Sequence, residues 1–297
     1  MEMFTCKRIS LSGCHRAATE GDFRSAWPKF MADSVWLGTG HSNGGSADRR
    51  PVPGMHGGHR WFGLHAEPDH PARTGELMKI GIIGAGNIGG NLTRRLTALG
   101  HEVSVANSRG PETLSGLAKE TGATPVTVAE AARGAEVVVV TIPLRNVPEL
   151  PAGLFDGAAE DFVVIETGNY YPKQRDGRIA EIEDEGLTES RWSERHIGHR
   201  VVKAFNGTYA EDILDRHRPA GDPDRMALPV AGDDEAAKQA VRALIDALGF
   251  DSVDAGGLDD SWRQQPGTPV YGLRAGTGAV VKALAEASPV RTAEFKG

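Results

Sequence analysis

A β-branched strand that runs straight into three glycines at G-x-G-x-x-G spacing, and then into a helix, leaves a chain few folds to choose from. Here Lys79-Ile80-Gly81-Ile82-Ile83 supplies the strand and Gly84-Ala85-Gly86-Asn87-Ile88-Gly89 the turn. Each glycine has its own reason. Gly84 permits a tight exit from the strand, Gly86 lets the backbone approach a pyrophosphate, and Gly89 lets helix and strand pack closely. The amides that open the helix after Gly86, at Asn87 and Ile88, then face the phosphates, where unpaired N–H groups and aligned dipoles favour an anion without a cationic side chain. The following residues keep the pattern: Asn91 to Leu99 carries apolar positions at helical spacing and ends at Gly100, and His101 to Ala106 reads as the second strand.

The end of that second strand indicates which dinucleotide. A site for NAD usually places Asp or Glu about 20 residues past the glycines to accept hydrogen bonds from the ribose 2′-hydroxyl. This chain has Ala106-Asn107-Ser108-Arg109-Gly110 there, with no carboxylate to repel a phosphate. Asn107 and Ser108 can donate hydrogen bonds, and the guanidinium fork of Arg109 suits a 2′-phosphate, so NADP is the expected cofactor.

Composition divides the chain at Met78. Six of the ten histidines, both cysteines and three of the five tryptophans precede it, among clusters of Gly, Pro, Ser and Arg and without sustained periodicity. Cys6 and Cys14 have neither the spacing nor the companion pair of a zinc site, and His56, His59 and His65 have no scaffold to orient them, so no metal site is expected. Residues 1–77 are read as a disordered leader or an over-extended gene start, with Met78 as the natural first residue. Residues 78–205 are expected to form the nucleotide-binding domain, and 206–297 a small C-terminal portion that completes the acceptor pocket. The net charge of −7 provides no electrostatic footprint for nucleic acid or anionic lipid, and no apolar run is long enough to span a membrane. A soluble cytoplasmic protein is expected.

Beyond the glycine turn, helical and strand patterns alternate at short intervals, which predicts an α/β fold: a doubly wound, Rossmann-type, mostly parallel sheet with a small mixed α/β C-terminal portion. A helix fits Pro111 to Thr121, opened by proline and closed before Gly122, and a brief one fits Val128 to Arg133. Short Thr124-Pro125-Val126, the unbroken valines of Ala135 to Ile142, Phe162 to Glu166 and Arg200 to Phe205 read as further strands. The valine run implies cover on both faces. Right-handed crossovers then bring the strand ends Thr141-Ile142-Pro143, Thr167-Gly168-Asn169 and Phe205-Asn206-Gly207-Thr208 to one edge, near the cofactor. The tail follows as a helix near Ala210 to Asp215, strand Met226 to Ala231, helix Asp234 to Leu248, strand Asp251 to Asp254 and a terminal helix near Ala279 to Ala287. Asp233 and Asp234 suit a helix cap.

From Met78 to about Gly272 the chain resembles the coenzyme F420-dependent NADP oxidoreductase family, which is related to the reductase domain of the STEAP metalloreductases. The matching elements are the glycine turn, Asn107-Ser108-Arg109, Thr141-Ile142-Pro143, Val202 to Asn206, Val230 to Asp234 and Asp254 to Leu258, in that order. The resemblance implies NADP on the glycine turn, phosphate recognition by Ser108 and Arg109, and Ile142 and Pro143 beside the cofactor. It also implies a second redox ring, coenzyme F420 or a flavin, near Asn206 and Gly207, and a homodimer. The segment 169–178, together with the acidic, Trp192-containing stretch that follows it, is longer than in the archaeal members, and Phe205-Asn206-Gly207-Thr208 stands where those carry a histidine-containing sequence.

Chemistry narrows the function further. A hydroxyacid or alcohol dehydrogenase needs a positioned acid or base, and the chain shows no Tyr-x-x-x-Lys pair or His/Asp relay. Exchange of hydride between a nicotinamide and another redox ring needs mainly orientation, so no catalytic side chain is assigned. Tyr170, Tyr171 and Lys203 are the remaining polar candidates, the tyrosines reading as packing residues. The segment Trp262 to Pro269 fits either a cover over the acceptor ring or a structural loop. Two function classes follow: an NADPH-dependent oxidoreductase with a deazaflavin or flavin-type acceptor, or an NADP-binding regulatory or assembly protein without turnover. A soluble ferric reductase is a further variant.

Overall fold

The β-branched runs become strands where both of their faces find cover. In the computed structural model, which describes residues 77–297, β1 (Lys79–Ile83), β2 (Glu102–Ala106), β3 (Thr124–Pro125), β4 (Val137–Val140), β5 (Val163–Glu166) and β6 (Val201–Lys203) form one parallel sheet. Its order is β3-β2-β1-β4-β5-β6. The direction of winding reverses between β1 and β4, and the crevice outside their carboxyl ends is where such folds bind ligands. Register levels that edge: Ile83 lies opposite both Ala106 and Val140. The leader expected over residues 1–77, with its cysteines and clustered histidines, lies outside the described residues but for Leu77.

Strand β4 shows why a run of four valines is stable there. Val137 and Val139 enter one core with Ile80, Ile82, Leu92 and Leu96, whereas Val138 and Val140 enter the other with Ile83, Leu144 and Trp192. Both faces are buried, as the unbroken pattern predicted. Helix α1 (Asn87–Ala98) covers the first face, with Gly89, Leu92, Thr93 and Leu96 turned inward. The expected helix over Pro111 to Thr121 divides into a 3-10 turn at Pro111–Leu114 and α2 (Ser115–Thr121), which stops at Gly122 in the left-handed conformation. The brief helix predicted from Val128 is a 3-10 turn, Val128–Glu130, fastened by a reciprocal capping box between Thr127 and Glu130.

Two helices escaped the sequence pattern: α3 (Ala180–Glu183) and α4 (Glu189–Ile197). The inward face of α4 carries Glu189, Ser190 and Ser193 beside Trp192 and Ile197. A helix whose buried stripe is largely polar shows no apolar periodicity. Its start was nonetheless marked, since Thr188 caps it by accepting a hydrogen bond from the Arg191 amide at 3.1 Å.

The C-terminal portion supplies α5 (Ala210–Asp215), β7 (Ala227–Val230), α6 (Glu235–Ala247), β8 (Asp251–Asp254) and α7 (Thr277–Ala285). β7 and β8 pair in parallel. They adjoin the main sheet through an antiparallel bridge in which Lys203 and Ala231 exchange backbone hydrogen bonds of 2.8 and 3.1 Å. Asp234 caps α6 by accepting from the Ala237 amide, as expected. Asp233 instead accepts from the Leu258 amide and pairs with Arg191.

Candidate functional site

The glycine turn is built as its sequence requires. Gly84 holds φ at +111°, and a Cβ there would lie 2.2 Å from the Thr141 carbonyl oxygen. A Cβ on Gly89 would lie 1.8 Å from the Gly84 carbonyl oxygen and 2.7 Å from Thr141 Cγ2. Gly86, the N-cap of α1, differs from both: a Cβ there meets nothing within 4 Å. Its backbone borders open space, and no side chain caps the helix start. The first intrahelical bond runs from the Gly90 amide to the Gly86 carbonyl, which leaves the amides of Asn87, Ile88 and Gly89 without a partner among the described residues. Such a concave, unpaired N-terminus fits a pyrophosphate. Gly89→Ala is therefore expected to cost about 1–3 kcal/mol by overpacking. Urea unfolding of the variant measures it directly.

The open space continues into a cleft of about 560 Å³, bordered by Gly86, Asn87, Arg94, Arg109, Thr113 and Asp215 among others. Just past the end of β2, Asn107 ties its own loop together. Its Nδ2 donates to Thr113 Oγ1 at 2.9 Å, and its Oδ1 accepts from the Arg109 amide at 3.0 Å. Ser108 and Arg109 are exposed, and the Arg109 guanidinium has no partner among the described residues. The loop thus presents an unpaired cation at the end of β2, which fits a 2′-phosphate. Arg94 also borders the cleft and was not singled out from the sequence, where it reads as one of two adjacent surface arginines. It forms a two-pronged pair with Glu120 at 2.7 and 2.9 Å, which raises its pKa and leaves Arg109 as the freer cation.

Thr141 and Ile142 stand directly against the glycine turn, Ile142 Cγ2 lying 3.0 Å from a Cβ on Gly84. Pro143 caps the 3-10 helix Leu144–Glu149 that follows β4. The predicted convergence with the ends of β5 and β6 is present. Asn169 Nδ2 donates to the Asn206 carbonyl at 2.8 Å, and Asn206 Nδ2 donates to Asn169 Oδ1 at 3.0 Å and to the Gln264 carbonyl at 2.7 Å. Gln264 Nε2 returns a hydrogen bond to Asn206 Oδ1 at 2.9 Å. Asn206 is buried and its side chain is consumed by this network, so it shapes the corner. Phe205, just before it, has φ of +62°, a strained conformation for a bulky side chain, held by the buried packing around it.

Beneath this corner lies a buried ion pair. Glu166 and Lys203 are each 1 % exposed. Lys203 Nζ donates to Glu166 Oε2 at 3.0 Å and to the Gly168 carbonyl at 2.5 Å, while Glu166 Oε1 accepts from the Gly168 amide at 2.5 Å. Ser190 Oγ of α4 completes the group by donating to Glu166 Oε2 at 2.8 Å. Both backbone groups of Gly168 are therefore pinned by one ion pair. Lys203, a polar candidate from the sequence, is structural in this arrangement. Tyr170 is a packing residue, fully buried, its hydroxyl accepting from the Ile179 amide at 2.8 Å.

The segment Trp262 to Pro269 takes the structural alternative. Gln264, Gln265 and Thr268 are buried, and Gln264 is locked to Asn206. The residues that reach Gly207 come next in the chain: a Cβ on Gly207 would lie 3.6 Å from the Gly272 nitrogen and 3.7 Å from the Tyr271 ring. Tyr271 in turn shares a short hydrogen bond with Tyr171 between their hydroxyls. Burial pushes the pKa of both phenols up. Among the described residues no cluster of His, Cys, Asp and Glu is arranged to hold a metal ion, and no helix is long and apolar enough to cross a membrane.

Comparison with known proteins agrees with this geometry. Among curated proteins, YjhV of Escherichia coli strain K12 is 47% identical over 60 residues, 20% of this chain and 44% of that protein. The 3-sulfolactaldehyde reductase of the same strain is 27% identical over 186 residues, 61% of this chain and 55% of that enzyme. The chain thus spans about half the length of the curated relatives it matches. A crystal structure of a hypothetical protein, SMa0349 of Sinorhizobium meliloti, is 27% identical and superposes with a TM-score of 0.56, covering 68% of this chain and 96% of that one. Residues 79–170 match the family described as NADP oxidoreductase, coenzyme F420-dependent. That match takes in the glycine turn and the strands beside it, so this part of the chain is similar to that family.

Proposed function

We propose that this chain binds NADPH along the carboxyl edge of β2, β1 and β4 and passes hydride directly to a deazaflavin, such as coenzyme F420, or to a flavin. The observation that supports this most is the open helix start at Gly86 in one cleft with the Arg109 guanidinium, which is unpaired among the described residues. Gly84, Gly86, Asn87, Ile88 and Gly89 would hold the pyrophosphate through the backbone. Asn107 would set the loop on which Ser108 and Arg109 read the 2′-phosphate. Thr141, Ile142 and Pro143 would flank the nicotinamide, and Asn206 and Gly207 the acceptor. The nucleotide, when bound, supplies the hydride. What the chain contributes is alignment: the polar groups nearest the strand ends are tied into fixed networks, Lys203 to Glu166 and Asn206 to Asn169 and Gln264. Fixed networks of this kind orient reactants and need move no proton.

Stereospecifically deuterated NADPH tests the reading. Deuterium is expected to appear at C5 of reduced deazaflavin, where the new C–H bond does not exchange with solvent. Tight NADPH binding with no turnover of deazaflavin, FMN or FAD would move the assignment to an NADP-binding protein without turnover, and reduction confined to ferric chelates to a soluble ferric reductase.

A further inference from the structure

The Tyr171–Tyr271 hydroxyl pair belongs to no network described so far. Tyr171 lies five residues past the end of β5, and Tyr271 packs on Gly207 beyond the end of β6. One tyrosine thus follows β5, and the other comes from the segment after Pro269 to meet the residue beyond β6. The Tyr171 ring is packed by its neighbours: Arg175 lies 5.1 Å from its centre and Phe295 6.0 Å from it. Two phenols carry two O–H donors. One is spent between the hydroxyls, and the other has no acceptor among the described residues.

We propose that this pair is the recognition point for the acceptor, offering its unspent O–H to a carbonyl oxygen conjugated with the ring that receives hydride. The proposal rests on the function proposed above and names the part of the acceptor that is read. With both bound, the nicotinamide C4–H bond would break and NADPH be oxidised to NADP+; the hydride would form one new bond on the reduced ring and push an electron pair onto the conjugated carbonyl oxygen, where the phenolic O–H would meet it. The tyrosines lose no proton, and the ring takes its own from solvent. A fixed donor aimed at an oxygen that gains charge is stronger after the transfer than before it. Burial keeps both phenols protonated, as a donor must be.

The test uses Tyr171→Phe, Tyr271→Phe and the double variant in the full chain, with FMN and 5-deazariboflavin as carbonyl-bearing probes and phenazine as a ring of similar shape without a carbonyl. Probe binding is read by fluorescence with saturating NADP+, and the shift of the probe's absorbance band on binding is recorded. The double variant and at least one single variant are expected to bind FMN and deazariboflavin about 3–10-fold more weakly and to lose the band shift. Affinity for NADPH and for phenazine is expected to be unchanged. A double variant that binds like the wild type overturns the proposal, as does an equal loss for phenazine or NADPH. If the double variant does not fold, two single variants that both match the wild type overturn it. A wild-type chain that binds neither carbonyl probe overturns the proposal together with the function it rests on.

Discussion

Lys203→Met is expected to lower the stability of the fold by about 3–5 kcal/mol, because it leaves the Glu166 carboxylate buried without its counter-charge. The same substitution takes a hydrogen-bond donor from the Gly168 carbonyl, which Lys203 Nζ reaches at 2.5 Å. At roughly 2–4 °C per kcal/mol for a domain of this size, Tm should fall by about 6–20 °C. Thermal unfolding with matched urea titrations measures both quantities. Glu166→Gln combined with Lys203→Met should be less damaging than the sum of the two single changes, since removing both charges removes the uncompensated one. A loss under about 1 kcal/mol for Lys203→Met would show that solvent reaches Glu166 and that the pair is not the clamp its burial indicates.

Arg109→Ala should weaken NADPH binding by about 1.5–3 kcal/mol, the worth of a charge-assisted hydrogen bond, while leaving NADH binding nearly unchanged. That is roughly a 10–150-fold rise in Kd for one nucleotide alone. The geometry behind the prediction is that Arg109 is exposed, unpaired among the described residues and placed on a loop whose shape Asn107 enforces. Arg94, across the same cleft, is already engaged by Glu120 and should not substitute for it. Calorimetric titration of both nucleotides at fixed ionic strength gives the comparison, and added salt should weaken NADPH more in the wild type than in the variant. Equal losses for NADPH and NADH would show that Arg109 does not read the 2′-phosphate.

The glycine-turn half of the candidate site was legible because its physics is local. Gly84, Gly86 and Gly89 act over six residues, and the reasons for each, a positive φ, an open edge and a close approach, operate between neighbours in the chain or across one strand–helix turn. The four valines of β4 were legible because a parallel strand buried on both faces needs apolar residues at every position. Helix α4 was not, since its buried polar residues Glu189 and Ser190 find their partners only in the fold: Glu166 for Ser190, and the Tyr170 amide and Arg291 for Glu189.

The proposed acceptor half depends on such long-range pairings. Asn206 acquires its surroundings from Asn169 and Gln264, residues 37 and 58 positions away, and Tyr171 meets Tyr271 across 100 positions. Lys203 read as a polar candidate at a strand end, and only the fold buries it beside Glu166. The sequence by itself determined the parallel α/β sheet, its switch point and the open glycine turn, because strand propensity, backbone freedom at glycine and helix-start amides are properties of short segments. The tertiary structure decided which polar groups are clamps and which are left with a donor to offer, because burial and hydrogen-bond partnership depend on every element packed around a side chain.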